Sequence, residues 1–143
     1  MAKPSAVLDT DVLLGPLRNI LIELAEREVY TLFLSRFSAW ELGRVAQRMG
    51  FGEDKHKRLF GRLDAIAHLV DHRHYTGPYP DWLRDLDDRP LLAAALAAEA
   101  DYLVTANTQD FPPGKRLGKL TIVTPQMFLD ILIHEAYLLN KLG

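Results

Sequence analysis

A chain of 143 residues with 48% hydrophobic and 25% charged residues has the length and composition of one globular domain, and a single domain over residues 1–143 is expected. Its formal net charge of -2 excludes a protein that coats nucleic acid by charge alone, but not one whose bound cations supply positive charge locally. The lack of cysteine excludes disulfides and thiolate zinc centres. Met1 to Leu8 is too short and too weakly apolar for a signal peptide, and the apolar stretch Phe128 to Leu139 is broken by Asp130, His134 and Glu135, so a cytoplasmic protein without membrane contact is expected.

In chain order, Ala6-Val7-Leu8 reads as a buried strand ended by Asp9. Gly15-Pro16 opens a helix with Leu17, Ile20, Leu21, Leu24 and Ala25 at helical spacing. Thr31 to Leu34 is a second strand closed by Ser35, followed by a helix to about Met49 that Gly50-Phe51-Gly52 breaks. Lys55 to Val70 has helical spacing, with Leu59, Leu63, Ile66 and Val70 on one side. The stretch from His72 to Asp87 is irregular, punctuated by Gly77, Pro78 and Pro80. Asp88 has the character of an N-cap for an alanine-rich helix from Arg89 to about Ala98. Tyr102 to Thr105 and Leu120 to Val123 are the third and fourth strands, and Thr124-Pro125 caps and starts the last helix. Short apolar strands alternating with helices predict a three-layer α/β/α fold around a mainly parallel sheet of four or five strands.

Such sheets bind ligands at the carboxyl edge of their strands, where the N-termini of the following helices also lie. Asp9, Glu41, Asp88 and Asp110 all map to that rim although they are distant in sequence. Each has a structural alternative. Asp9 suits a turn, Ser38 and Glu41 have capping-box spacing, Asp88 suits an N-cap, and Asp110 lies in a polar turn. Together, four crowded carboxylates resist ionisation unless a hard divalent cation, Mg²⁺ or Mn²⁺, relieves their repulsion.

The chain resembles the PIN-domain nucleases, including the VapC-like toxin ribonucleases. The resemblance rests on Val7-Leu8-Asp9-Thr10-Asp11-Val12-Leu13, on Ser35 to Glu41, on Asp87-Asp88-Arg89-Pro90-Leu91-Leu92-Ala93-Ala94-Ala95, on Ala100 to Pro112 and on the final Thr124-Pro125 with its apolar helix. These segments cover nearly the whole chain in order. The resemblance implies a metal-dependent ribonuclease that leaves 5′-phosphate and 3′-hydroxyl ends, with Asp9, Glu41, Asp88 and Asp110 as acidic residues around Mg²⁺ or Mn²⁺. It also implies that Thr105 supports the metal's surroundings. Many family members have Asn where this chain has Asp11 and Asp where it has Asn107, so both positions bear on metal stoichiometry. Asp87, adjacent to Asp88, is the alternative third ligand. The resemblance further implies an RNA substrate, a cognate antitoxin as partner and a homodimer.

Arg18 and Arg44 are the cations best placed to hold RNA, because their helices begin at the acidic rim; Arg36, Arg48 and the run Lys55-His56-Lys57-Arg58 are further candidates. The five histidines, His72 and His74 among them, lack zinc-site spacing and suit surface or packing roles. Trp40 and Trp82 suit packing, with base stacking as the alternative. Two other activities are compatible with the sequence. Asp9-Thr10-Asp11 after a strand resembles the nucleophile motif of haloacid-dehalogenase phosphatases, and a PIN-like fold can bind RNA or protein without cutting. A receiver domain fits less well, since the last strand ends in Thr124-Pro125 rather than lysine.

Overall fold

Residues 3–48 and 53–142 are described by a computed structural model, in which Ser5–Leu8 forms the inner strand β1 of a six-stranded sheet. There follow α1 (Thr10–Leu13), α2 (Arg18–Glu26), β2 (Thr31–Ser35), α3 (Arg36–Arg48), α4 (Glu53–Ile66) and β3 (His68–Val70). Single 3₁₀ turns at His72–His74 and Leu86–Asp88 bracket the irregular stretch. The chain then forms α5 (Arg89–Ala97), β4 (Tyr102–Val104), β5 (Arg116–Leu117), β6 (Leu120–Val123) and α6 (Pro125–Leu142).

The strand order is β3-β2-β1-β4-β6-β5, parallel throughout except for β5 against β6. From β1 the chain works outward through β2 and β3, then returns to the other side of β1 to place β4. That reversal makes the carboxyl edge between β1 and β4 a topological switch point, where the crossovers diverge and leave a crevice. The register Leu8↔Val104 then sets the next residues, Asp9 and Thr105, side by side. The backbone N–H of Asp9 donates to Val104 O at 2.9 Å and locks that alignment.

Alternation along the strands builds two cores. Ala6, Leu8, Leu32, Leu34, Val104 and Val123 face α1, α2, α3, α4 and α6 through Leu13, Leu21, Ile22, Leu42, Leu63, Phe128 and Leu132. Val7, Leu103 and Ile122 face α5 through Leu91, Leu92 and Ala95, with Leu83 and Phe111 closing that side.

The expected architecture holds, with six strands in place of four or five. The helix expected from Lys55 to Val70 ends at Ile66, and β3 follows. This edge strand exposes His68 and Leu69, so no buried alternation marks it, and Val70 merely continued the helical spacing. β5 has two residues, below the length at which periodicity carries information. The turn α1 was absent from the expectation because one capped turn has no repeat to detect. Ile20 is 37% exposed, since α2 turns Leu21, Ile22 and Ala25 to the core instead. The expected helix end at Met49 and the Gly50-Phe51-Gly52 breaker lie outside the described residues. No helix among the described residues is long and apolar enough to cross a membrane.

Candidate metal centre

Asp9 closes β1 and begins α1. Its backbone is extended, its Oδ1 accepts the Thr10 N–H at 2.7 Å, and its Oδ2 accepts the Thr105 hydroxyl at 2.8 Å. Asp11, two residues later, accepts the Ala106 N–H at 3.3 Å through Oδ1. Both contacts tie α1 to the loop after β4, across the switch point.

Glu41 arrives on α3. Ser35, the last residue of β2, accepts the Ser38 N–H on its Oγ at 2.9 Å, so Ser35 is the side chain that caps α3. The capping-box reading of Ser38 with Glu41 is therefore corrected: Glu41 sits a turn beyond the cap and lines a cavity instead. Asp88 is also freed. The 3₁₀ turn Leu86–Asp88 runs straight into α5, Asp88 already has helical backbone angles, and its side chain makes no capping bond. The cap of that 3₁₀ turn is Asp85, whose Oδ1 accepts the Asp87 N–H at 2.9 Å.

Asp9, Asp11, Glu41, Asp87, Asp88 and Asn107 line one cavity of about 380 Å³, with Thr10 and Ser38 as hydroxyl neighbours and Leu14, Phe37 and Leu91 as apolar walls. Asp110 lies outside this lining but belongs to the same assembly. Asp85, Asp88 and Asp110 each bring a carboxylate oxygen within 4.8 Å of the others. The acids thus form two groups, Asp9-Asp11-Glu41 linked by mutual repulsion and Asp85-Asp88-Asp110 by proximity of their oxygens. A hydrogen-bonded chain joins them. The Asn107 N–H donates to Thr105 Oγ1 at 3.1 Å, and its Nδ2 donates to Asp110 Oδ2 at 3.0 Å, while Thr105 holds Asp9. Asn107 acts as the amide that fixes Asp110.

Electrostatics follow from this crowding. Burial, then repulsion from Asp11 and Glu41, pushes Asp9 up to about 7 against the Thr105 and Thr10 hydrogen bonds that favour its anion. Partial desolvation, followed by Glu41, pushes Asp11 upward as well. Asp88 is pushed up to about 6 by burial and then by Asp110, Asp85 and Asp87. Two buried oxygens, Asp88 Oδ2 and Thr10 Oγ1, have no protein partner, although Thr10 is only 4% exposed. All-oxygen donors, suppressed ionisation and an orphaned carboxylate oxygen fit a hard divalent cation.

Sequence reasoning missed Asp85 and Thr10. Asp85 lies within a breaker-rich stretch, and Thr10 is flanked by the two aspartates that drew attention. Arg18 and Arg44 do not line the cavity. Arg18 Nη1 reaches Gly15 O at 3.4 Å, and the Arg44 guanidinium lies 4.9 Å from the centre of the Trp40 ring. A second cleft beside Asp110 is lined by Trp82, Arg84, Gln109 and Pro112. Trp82 packs against Phe111 as expected, but Trp40 is 58% exposed, which corrects the packing reading for that residue. Among the described residues no histidine joins an acidic cluster.

The family model for the PIN domain matches residues 5–109. Among solved structures, the fold is similar to a chain in the crystal structure of VapBC2 from Rickettsia felis bound to a DNA fragment from their promoter. The TM-score is 0.55 at 16% identity, over 84% of this chain and 98% of that one. None of the curated proteins matches the chain in sequence.

Proposed function

Because this chain belongs to the PIN-domain family, we propose that it is a ribonuclease that hydrolyses RNA phosphodiester bonds with Mg²⁺ or Mn²⁺ held among Asp9, Glu41, Asp88 and Asp110. The observation that carries this reading is the convergence of Asp9, Asp11, Glu41 and Asp88 on one cavity at the switch point, with Asp88 Oδ2 lacking any protein partner. When bound, the cation supplies positive charge to the phosphate and lowers the pKa of water.

The chain's own residues do the rest. Asp9 and Asp88 both offer oxygens to the cavity, and Glu41 and Asp110 ligate or orient water. Thr105 holds Asp9 in one orientation, and Asn107 does the same for Asp110. Asp11, bound to the Ala106 N–H, adds negative charge beside Asp9. The buried Thr10 hydroxyl offers a donor to a phosphate oxygen entering the cavity. Leu14, Phe37 and Leu91 restrict water around the acids. Arg18 and Arg44 hold the RNA backbone away from the carboxylates, and Arg84, beside Asp110, is a further cation for that task.

No lysine lines the cavity among the described residues, so the phosphatase alternative lacks the cation that an aspartyl-phosphate would need. The sequence resemblance to VapC-like toxins, on a fold like that of a chain of VapBC2, motivates a role as the toxin of a toxin–antitoxin pair inhibited by a cognate antitoxin; a homodimer in the cytoplasm is part of the same reading and rests on the resemblance alone. A short DNA-binding protein encoded next to this chain, and co-purifying with it, is the expected sign of that role.

Incubation of purified protein with a mixed RNA pool, in Mn²⁺, Mg²⁺ or EDTA, tests the activity. Metal-dependent cleavage lost in Asp9→Ala is expected. Folded protein that cuts nothing in either metal, while binding RNA equally in EDTA, would move the assignment to a non-catalytic binding module.

A further inference from the structure

Beyond the carboxylates, α3 carries an aromatic feature that cleavage chemistry leaves unexplained. Trp40 is 58% exposed on the helix surface. A lone exposed ring is ordinary, but this one is continuous with a second ring and a cation. Phe37, Trp40 and Arg44 fall at helical i, i+3 and i+7 positions, which places them along one side of α3. The Phe37 and Trp40 rings are 6.1 Å apart and tilted by 42°, and the Arg44 guanidinium lies 4.9 Å from the Trp40 ring centre. His72 meets Phe37 edge-on at 6.4 Å and braces it from the neighbouring 3₁₀ turn. Phe37 is at the same time a wall of the acidic cavity, so the aromatic surface runs without interruption to the carboxylates.

We propose that Phe37, Trp40 and Arg44 form a stacking subsite for an unpaired nucleobase of the RNA strand being cut. This rests on the ribonuclease reading and narrows its substrate to single-stranded or looped RNA. Charge and continuity favour RNA over a protein as the occupant. The carboxylates alone repel a polyanion, and the Arg44 guanidinium over the exposed Trp40 indole offsets this by offering at one place a cation for phosphate and a π-face for a base. Phe37 joins the Trp40–Arg44 pair to the acidic cavity, so a strand whose phosphodiester enters that cavity passes the indole. A base within a duplex has both faces covered by its stacked neighbours, so paired RNA has no free ring to offer. Trp40 thereby supplies selectivity that the carboxylates, which read only the phosphodiester, do not.

Binding of labelled RNA to the Asp9→Asn protein, followed by anisotropy, separates this subsite from cleavage. One probe is an unstructured single-stranded oligonucleotide and the other is its duplex. Trp40→Ala and Trp40→Leu are expected to weaken single-strand binding by about ten-fold while leaving duplex binding unchanged, and Trp40→Phe retains most of the affinity. In an Asp9→Asn, Trp82→Phe background, the remaining indole is Trp40, and single-stranded RNA is expected to quench its fluorescence. Unchanged single-strand affinity in Trp40→Ala, with metal-dependent cleavage intact in the native protein, would overturn the subsite alone. Tolerance of leucine with loss on alanine would overturn it in favour of an apolar protein anchor. Absence of both RNA binding and cleavage would remove the ribonuclease reading, and the subsite with it.

Discussion

Thr105 Oγ1 donates to Asp9 Oδ2 at 2.8 Å, and the same oxygen accepts the Asn107 N–H at 3.1 Å. The hydroxyl is buried, so its proton has a fixed destination. Its effect on Asp9 is to favour the anion against burial and against Asp11. Thr105→Val keeps the shape and deletes this bond. Asp9 should then hold its proton to higher pH, and Mn²⁺ affinity near neutral pH should fall by about ten-fold, the usual scale for a group that orients a ligand. Thr105→Ser should restore both. Calorimetric titration across pH decides it, and an unmoved pH midpoint in the valine variant would show that the hydroxyl only fills space.

The upward shifts of Asp9, to about 7, and Asp88, to about 6, make a prediction about stability. In the unfolded chain both groups release their protons near the ordinary value of 3.8. Between that point and neutrality the folded chain holds protons that the unfolded chain has lost. The contribution to stability is therefore full below about pH 4 and disappears as pH rises through about 6 to 7. Without metal, the melting temperature should fall between about pH 5 and about pH 8, and Mn²⁺ should raise it more at the higher pH. Asp9→Asn removes the charge that is hardest to accommodate. It should flatten the metal-free slope, melt higher at about pH 8 and cleave at least 100-fold more slowly. Thermal melts with and without EDTA test this, and a metal-free protein that grows more stable towards about pH 8 contradicts it.

The rim of acids was legible from sequence because each follows a strand or opens a helix, and a parallel sheet sends all such positions to one edge. The division of labour within the rim was not legible. Ser35 against Ser38 as the cap of α3 depends on where β2 ends, a matter of one or two residues that spacing does not resolve. The link from Asn107 to Asp110 joins residues close in sequence, but its relay to Asp9 through Thr105 exists only because β1 and β4 are neighbours. Strand β3 was hidden for the opposite reason, since an exposed edge strand of three residues has no buried face to leave a pattern. Trp40 was misread because a tryptophan between Ala39 and Glu41 has the composition of an amphipathic helix whichever way the ring turns.

Asp85 is the acid whose role can be separated most cleanly, because its carboxylate has two possible duties. Oδ1 accepts the Asp87 N–H at 2.9 Å and caps the 3₁₀ turn that delivers Asp88. The same carboxylate also brings an oxygen within 4.8 Å of oxygens from Asp88 and Asp110, and its charge helps raise Asp88. Asp85→Asn can retain the acceptor while deleting the charge, whereas Asp85→Ala deletes both. A capping role alone predicts that asparagine is neutral and that alanine costs about 1 kcal/mol of stability with no change in metal affinity. A role in holding the cation predicts that both variants weaken Mn²⁺ binding alike, and that Asp88 releases its proton at lower pH in each. The placement of Asp85 against both Asp88 and Asp110 favours the second outcome, with a loss of about ten-fold in affinity. Parallel Mn²⁺ titrations and chemical denaturation of the two variants distinguish them: wild-type Mn²⁺ affinity in Asp85→Asn would reduce Asp85 to a cap.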